Sequence, residues 1–183
     1  ITTLANAQFV DPRSPRRIGE LSREADRVAV APYFLYRLDA AQSAEAGRRA
    51  AFEESPQLLR EEADAARRQR KRLAAYEVNF HTTLGDASSA QRDAVVTSAA
   101  SGPALARRLI DASLAGVSEQ AVYVLAGFDA YVHGRRDLVR LWGVTRDLSR
   151  AGHLRPTGVA LQMLNEVAGG ETRGLACNGG ACA

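Results

Sequence analysis

The chain has 183 residues, of which 46% are hydrophobic and 25% charged, the composition of an ordinary globular protein. Its net charge of +3 is too small to indicate a nucleic-acid-binding protein by itself. No run approaches the roughly 20 apolar residues that a membrane-spanning helix needs. Aromatic residues make up only 6% and alanine is abundant, so the composition predicts helices rather than strands.

Helix start and stop signals recur along the whole chain. Serine before proline, as in Ser14-Pro15, is an N-cap followed by a first-turn proline. Glycine after an apolar stretch, as at Gly116, ends a helix. Apolar residues recur at helical spacing between these signals, and the third and longest segment reaches about Phe80. The predicted helices begin at or near Ser14, Pro32, Ser55, Asp86 or Ser88, Gly102, Ser118, Arg135 and Thr157.

These signals predict an all-α fold of seven to eight helices in antiparallel pairs. The helices would form either an irregular bundle or a short stack of helical repeats. We expect residues 1–13 to be an N-terminal extension, residues 14–169 to be the helical domain, and residues 170–183 to be a flexible, glycine-rich tail.

One stretch carries a family resemblance. Ser101-Gly102-Pro103-Ala104 to Leu114-Ala115-Gly116, followed by Ser118-Glu119 and Val124-Leu125-Ala126-Gly127, resembles the ALF-type short helical repeats of secreted actinobacterial proteins. The resemblance covers about 45 residues, with Arg135-Arg136-Asp137 in place of the family's Asp-Arg-rich segment. It implies an exported, α-helical repeat protein and assigns no catalytic residue.

Export is also indicated by small residues near the N-terminus and by the cysteines. Leu4-Ala5-Asn6-Ala7 is similar to the end of a secretory signal. In an exported protein, Cys177 and Cys182 would form a disulfide across a short glycine-containing loop, whereas in the cytoplasm they would be free thiols. We expect export. Two thiols are too few for a metal site, and we expect neither a metal nor a cofactor.

A basic run lies inside the third predicted helix. Its arginines are Arg67, Arg68, Arg70 and Arg72. They could contact phosphates of a nucleic acid. They could equally form a solvated helix face, because acidic residues in the same segment neutralise part of the charge.

A second candidate surface surrounds Gly134. Tyr131 and Trp142 flank this glycine, with Arg135 and Arg136 beside them. Aromatic and arginine side chains are enriched at protein-binding hot spots, but the same aromatic residues could pack between two antiparallel helices.

Catalytic motifs are absent from the sequence, and none of its three histidines is spaced as a metal-binding pair. We therefore expect an exported, non-enzymatic module that binds a protein partner. Two alternatives stay open. The protein could be an enzyme in which His133 or His81 acts with carboxylates from other helices, or it could bind nucleic acid through residues 67–72.

Overall fold

The computed structural model describes residues 1–11, 13–131, 138–146, 148, 152–169, 177–178 and 181–182, and in residues 128–131, 138–141, 177–178 and 181–182 it describes the backbone alone. The elements in chain order are β1 (Leu4–Asn6), α1 (Arg13–Leu21), β2 (Arg27–Val30), α2 (Ala44–Glu53), α3 (Gln57–Arg68), β3 (Arg72–Val78), α4 (Ser89–Val96), α5 (Ser101–Ala115), β4 (Val117–Val122), β5 (Phe128–Tyr131), β6 (Leu138–Leu141), α6 (Pro156–Val167), β7 (Cys177–Asn178) and β8 (Ala181–Cys182).

The predicted all-α fold of seven to eight helices is wrong, because the chain has an α/β fold built on a parallel sheet. Strands β2, β3 and β4 lie inside the first, third and sixth predicted helices. Strands of a parallel sheet are short apolar runs without clear alternation, and periodicity alone does not separate them from buried helix segments. Alanines such as Ala29, Ala74 and Ala75 added to the error, because alanine favours helices.

The main sheet has four parallel strands in the order β1-β2-β3-β4. Helices α1, α3 and α5 lie in the connections between successive strands, with α2 before α3 and α4 before α5, and α6 follows the β5–β6 hairpin. The helices pack in a row in the same order, α1 on α3, α3 on α5 and α5 on α6. Crossovers of one hand between strands taken in order place their helices on one face of the sheet. Helices α1, α3 and α5 therefore form one layer on the sheet, and α6 extends this layer beside α5.

The hydrophobic core lies between the sheet and this helical layer. Alternate residues of β2 and β3 face it, as expected for the two-residue period of a strand. Its members from the sheet and the two central helices include Val28, Val30, Leu73, Ala75, Leu59, Ala63, Ala66, Leu105, Leu109 and Ala112.

Several predicted helix boundaries are confirmed. Ser88 caps α4 in a capping box with Gln91. Gly116 ends α5 in the left-handed conformation, with φ of 94°. Helix α6 covers the eighth predicted segment. The predicted second helix begins later than expected, because Ser43 rather than Pro32 caps α2.

The two ends of the chain also differ from their predictions. Residues 1–13, expected to be an extension, contribute β1 to the sheet. In the predicted tail, Cys177 and Cys182 are backbone partners in the β7–β8 ladder. No disulfide is found in the described part of the chain, so the predicted bond is not supported. Backbone pairing of two cysteines in a ladder does not require a disulfide bond, and the structure does not describe either cysteine side chain.

Among the described residues, no helix has both the length and the apolar character needed to cross a bilayer.

Candidate active site at the carboxyl edge of the sheet

The loops that follow β2 and β3 are joined by backbone hydrogen bonds beyond the end of the sheet. Phe34 N–H donates to Asn79 O at 3.2 Å, His81 N–H donates to Phe34 O at 2.9 Å, and Thr82 N–H donates to Leu35 O at 2.9 Å. Ligands of parallel α/β sheets bind outside the carboxyl ends of the strands, where such loops meet. This edge is therefore the expected position of a ligand-binding site.

Two residues of these joined loops have unfavourable backbone angles. Leu35 has φ of 52° and Thr82 has φ of 42°, in the left-handed region that side-chain-bearing residues rarely adopt. The Glu54 carboxylate accepts a hydrogen bond of 2.7 Å from Leu35 N–H and so stabilises the left-handed backbone conformation at Leu35. Backbone strain of this kind concentrates at functional sites, because the surrounding structure must maintain it.

An irregularity in β3 places a carboxylate at the same edge. The register of β3 against β4 shifts between Ala75 and Val78, and both of these residues face the core although they are three positions apart. Strict alternation does not allow that spacing, so the strand carries a bulge-like irregularity at Tyr76 and Glu77. Such irregularities re-aim side chains next to active sites.

Glu77 is half-buried and is held by a tyrosine from the neighbouring loop. The Tyr33 hydroxyl donates to Glu77 Oε2 at 2.6 Å. Burial and the adjacent Glu77 raise the pKa of Tyr33 far above its usual value, so the hydroxyl stays protonated and remains a donor. Within the described part of the chain, Tyr33 is the one hydrogen-bond partner of the Glu77 carboxylate, which leaves Oε1 available.

His81 lies on the other side of Tyr33. The two rings meet edge-on with centroids 5.1 Å apart, and the ring of Tyr36 lies 4.7 Å from His81. The Nδ1 atom of His81 is 2.6 Å from the Thr83 hydroxyl. Burial lowers the pKa of His81, so the imidazole is neutral at neutral pH. The site therefore combines the Glu77 carboxylate with hydrogen-bonding groups and aromatic rings, and the charged groups of Glu54 and Arg108 act on the pKa of Tyr36.

A buried asparagine fixes the neighbouring chain segments around this site. Asn79 Nδ2 donates to Trp142 O at 2.8 Å and also to Tyr123 O, at the end of β4. Trp142 is only 4% exposed, and its indole N–H donates to Asp93 at 2.8 Å. Trp142 thus belongs to the core. Of the predicted protein-binding surface, the side chains of Tyr131, Arg135 and Arg136 lie outside the described residues.

The predicted basic surface lies at the opposite edge of the sheet. Arg67 and Arg68 end α3, while Arg70 is in the turn before β3 and Arg72 begins that strand. All four are exposed. Lys71 donates to the backbone carbonyls of Ser22 and Arg23, at 3.0 and 3.1 Å, and so ties this turn to the one after α1.

Sequence reasoning singled out His81 among these site residues and missed Glu77, Tyr33, Tyr36, Asn79 and Thr83. It missed them because it placed Glu77 on a helix rather than at the end of a strand. The signal available was an apolar run, Leu73-Ala74-Ala75, followed directly by polar residues. Of the other histidines, His153 is exposed and His133 lies outside the described residues.

Among the described residues, no group of three or more His, Cys, Asp or Glu side chains is placed to hold a metal ion.

Comparisons with family models, with curated proteins and with solved structures found no match to this chain. The resemblance to ALF-type repeats therefore gains no support from them. The segment in which it implied a second helix, after Ser118, forms β4.

Proposed function

We propose that the carboxyl edge of the sheet is an enzyme active site in which Glu77 is the nucleophile. The observation that carries this proposal is the Glu77 carboxylate itself. One oxygen is fixed by the Tyr33 hydroxyl at 2.6 Å and the other is available to attack a substrate. Fixing one oxygen orients the carboxylate, and positioning of this kind is a main source of catalysis.

The surroundings of Glu77 favour a neutral, hydroxyl-bearing substrate, and we propose a glycoside. Tyr33 and Tyr36 line the site, and Tyr76 and Tyr123 lie close enough to Tyr33 to influence its ionisation electrostatically. Tyrosine offers both a flat apolar face and a hydroxyl, which suits a sugar ring. His81 is kept neutral by burial and adds a further hydrogen-bonding group.

The reaction that fits is transfer of a glycosyl group through a carboxylate ester. Glu77 Oε1 would attack the anomeric carbon while the bond to the leaving oxygen breaks and that oxygen takes up a proton. Water would then attack the same carbon, releasing the sugar and restoring the carboxylate. A second carboxyl group usually supplies the proton, and the geometry at Glu77 assigns no residue to that role.

The two binding functions considered from sequence stay predictions. Trp142, one of the two aromatic residues of the predicted protein-binding surface around Gly134, is buried. The basic residues 67–72 lie at the amino edge of the sheet, away from the joined loops, and Lys71 is engaged by backbone carbonyls.

The test is hydrolysis of a panel of 4-nitrophenyl glycosides by the full chain and its variants. Glu77→Ala should lose activity by about a thousandfold or more, and added azide should restore turnover by giving a glycosyl azide. Glu53→Gln, which changes an exposed carboxylate on α2, is the matched control and should leave activity unchanged. Equal activity of Glu77→Ala and the unaltered chain would disprove the assignment.

A further inference from the structure

The ring of His81 is held by two tyrosines and by one hydroxyl group. Tyr33 meets the ring edge-on with centroids 5.1 Å apart, and the Tyr36 ring lies at a tilted angle with its centroid 4.7 Å away. The backbone of His81 is fixed as well, since its N–H donates to Phe34 O at 2.9 Å. Its Nδ1 atom lies 2.6 Å from the Thr83 hydroxyl. The orientation of the ring is therefore set, and the position of its proton depends on Thr83.

The backbone turns at Thr82, between His81 and Thr83. Thr82 has φ of 42°, in the left-handed region, and it separates the two residues whose side chains form this hydrogen bond. The Thr82 side chain is fully buried, and its hydroxyl has no hydrogen-bond partner among the described residues. A strained backbone and an unpaired buried hydroxyl both cost free energy. Such costs are typical of segments whose local geometry serves a function.

The burial of Thr83 decides which partner donates in its hydrogen bond with His81. Thr83 is 9% exposed, and His81 Nδ1 is the one hydrogen-bond partner of its hydroxyl within the described part of the chain. A threonine hydroxyl has one proton and can rotate to aim it at an acceptor. If Nδ1 carried a proton, the hydroxyl would have to accept, and its own proton would be buried without a partner. The favoured arrangement therefore has the Thr83 hydroxyl donating to an unprotonated Nδ1.

An unprotonated Nδ1 fixes the role of the other ring nitrogen. His81 is neutral, because burial lowers its pKa. A neutral imidazole has one N–H and one bare nitrogen, so the proton must be on Nε2. This N–H has no hydrogen-bond partner among the residues that the structure describes, and the ring lies beside Tyr33, which fixes Glu77. A donor in this position needs an acceptor atom, and a substrate bound at Glu77 can supply one.

We propose that Thr83 is a positioning residue that keeps the proton of His81 on Nε2, and that this N–H donates a hydrogen bond to a hydroxyl oxygen of the substrate. The second part rests on the proposed function, whereas the first part concerns the free protein. A glycoside that lacks the hydroxyl at this position leaves the Nε2–H group unpaired, and sites built around a hydrogen bond reject such analogues. The Thr83–His81 pair therefore contributes to substrate specificity.

The protonated nitrogen is identified by imidazole nitrogen NMR of the isotope-labelled full chain at about pH 8, where an ordinary histidine is neutral. The chain has three histidines, and the signals of His81 are those that His81→Phe lacks. We expect the proton on Nε2 in the unaltered chain and in Thr83→Ser, which keeps the hydroxyl. Thr83→Asp offers only acceptor oxygens and should place a proton on Nδ1. The control is Thr97→Val, which removes a hydroxyl that donates to Asp93 O in α4 and should leave the His81 signals unchanged.

The contact with substrate is measured by kcat/KM on the most active 4-nitrophenyl glycoside and on its monodeoxy analogues. His81→Phe keeps an aromatic ring against the two tyrosines but has no N–H. The unaltered chain should hydrolyse one of the analogues about tenfold or more slowly than the parent glycoside, and His81→Phe should lose this discrimination. Thr83→Ser should behave like the unaltered chain.

Each part of the proposal has a result that overturns it. A proton on Nδ1 of His81 in the unaltered chain, or an unprotonated Nδ1 in Thr83→Asp, would overturn the role of Thr83. The same discrimination among all analogues by the unaltered chain and by His81→Phe would overturn the contact with substrate. A chain that hydrolyses no glycoside would overturn the proposed role of Glu77 together with that contact, whereas the NMR measurement would still decide the position of the proton.

Discussion

A buried carboxyl group in α3 gives the sharpest prediction about stability. Glu62 is 1% exposed, and neither of its oxygens has a hydrogen-bond partner among the residues that the structure describes. Burial, with further contributions from Asp11 and Glu61, raises the pKa of Glu62 to about 8. A carboxylate without a partner is costly in the interior, so the folded protein keeps this group protonated at neutral pH.

The raised pKa makes folding less favourable as pH increases. Between pH 4.5, the ordinary value, and about 8, the unfolded chain releases the Glu62 proton while the folded chain retains it. The unfolded state therefore binds fewer protons, and the free energy of unfolding falls as pH rises through this window. At 1.36 kcal/mol per pKa unit, the full shift corresponds to at most about 5 kcal/mol.

Urea unfolding followed by circular dichroism, from about pH 5 to about pH 8, measures this effect. The variant Glu62→Gln cannot ionise, so the difference in unfolding free energy between it and the unaltered chain should change with pH by a few kcal/mol. Glu53→Gln, which changes an exposed carboxylate of α2, is the control. The lowered pKa of His81 makes the free energy of unfolding rise with pH below about pH 6.5. This contribution is the same in all three proteins, so it cancels in the differences between them. A pH-independent difference would refute the reasoning.

Three further substitutions, one of them with a glycine control, test two buried hydrogen-bonding groups and one helix end. Arg92→Met should lower the free energy of unfolding in urea by about 2–4 kcal/mol. The reason is that the buried guanidinium donates to three backbone carbonyls of the loop after β3, at 3.0 to 3.3 Å. An unchanged unfolding midpoint would contradict this role. Gly116→Ala should lower the free energy of unfolding by about 1–2 kcal/mol, because a residue with a side chain is strained at a φ of 94°. Gly169→Ala, where a methyl group would meet open space, is the control and should leave the free energy of unfolding unchanged. Trp142→Phe should lower the free energy of unfolding by about 1–2 kcal/mol, because it removes the indole N–H that donates to Asp93. A variant as stable as the unaltered chain would show that this hydrogen bond contributes little.

The helices were predictable where local chemistry decides. Ser88 and Gly116 set the ends of α4 and α5 through capping and the left-handed conformation, which depend on a few adjacent residues. The active-site candidates were not predictable in the same way. Glu77 and Tyr33 are 44 residues apart, and they meet only because β2 and β3 are neighbours in the sheet.

The sequence by itself determined that this is a globular chain with well-marked helix ends and no membrane-spanning run. The tertiary structure decided that the segments around Ala29 and Ala74 are strands. Their apolar, alanine-containing runs are locally compatible with a helix, and pairing with neighbouring strands, which local sequence does not encode, selects the extended form. The same pairing creates the carboxyl edge where Glu77, Tyr33 and His81 come together.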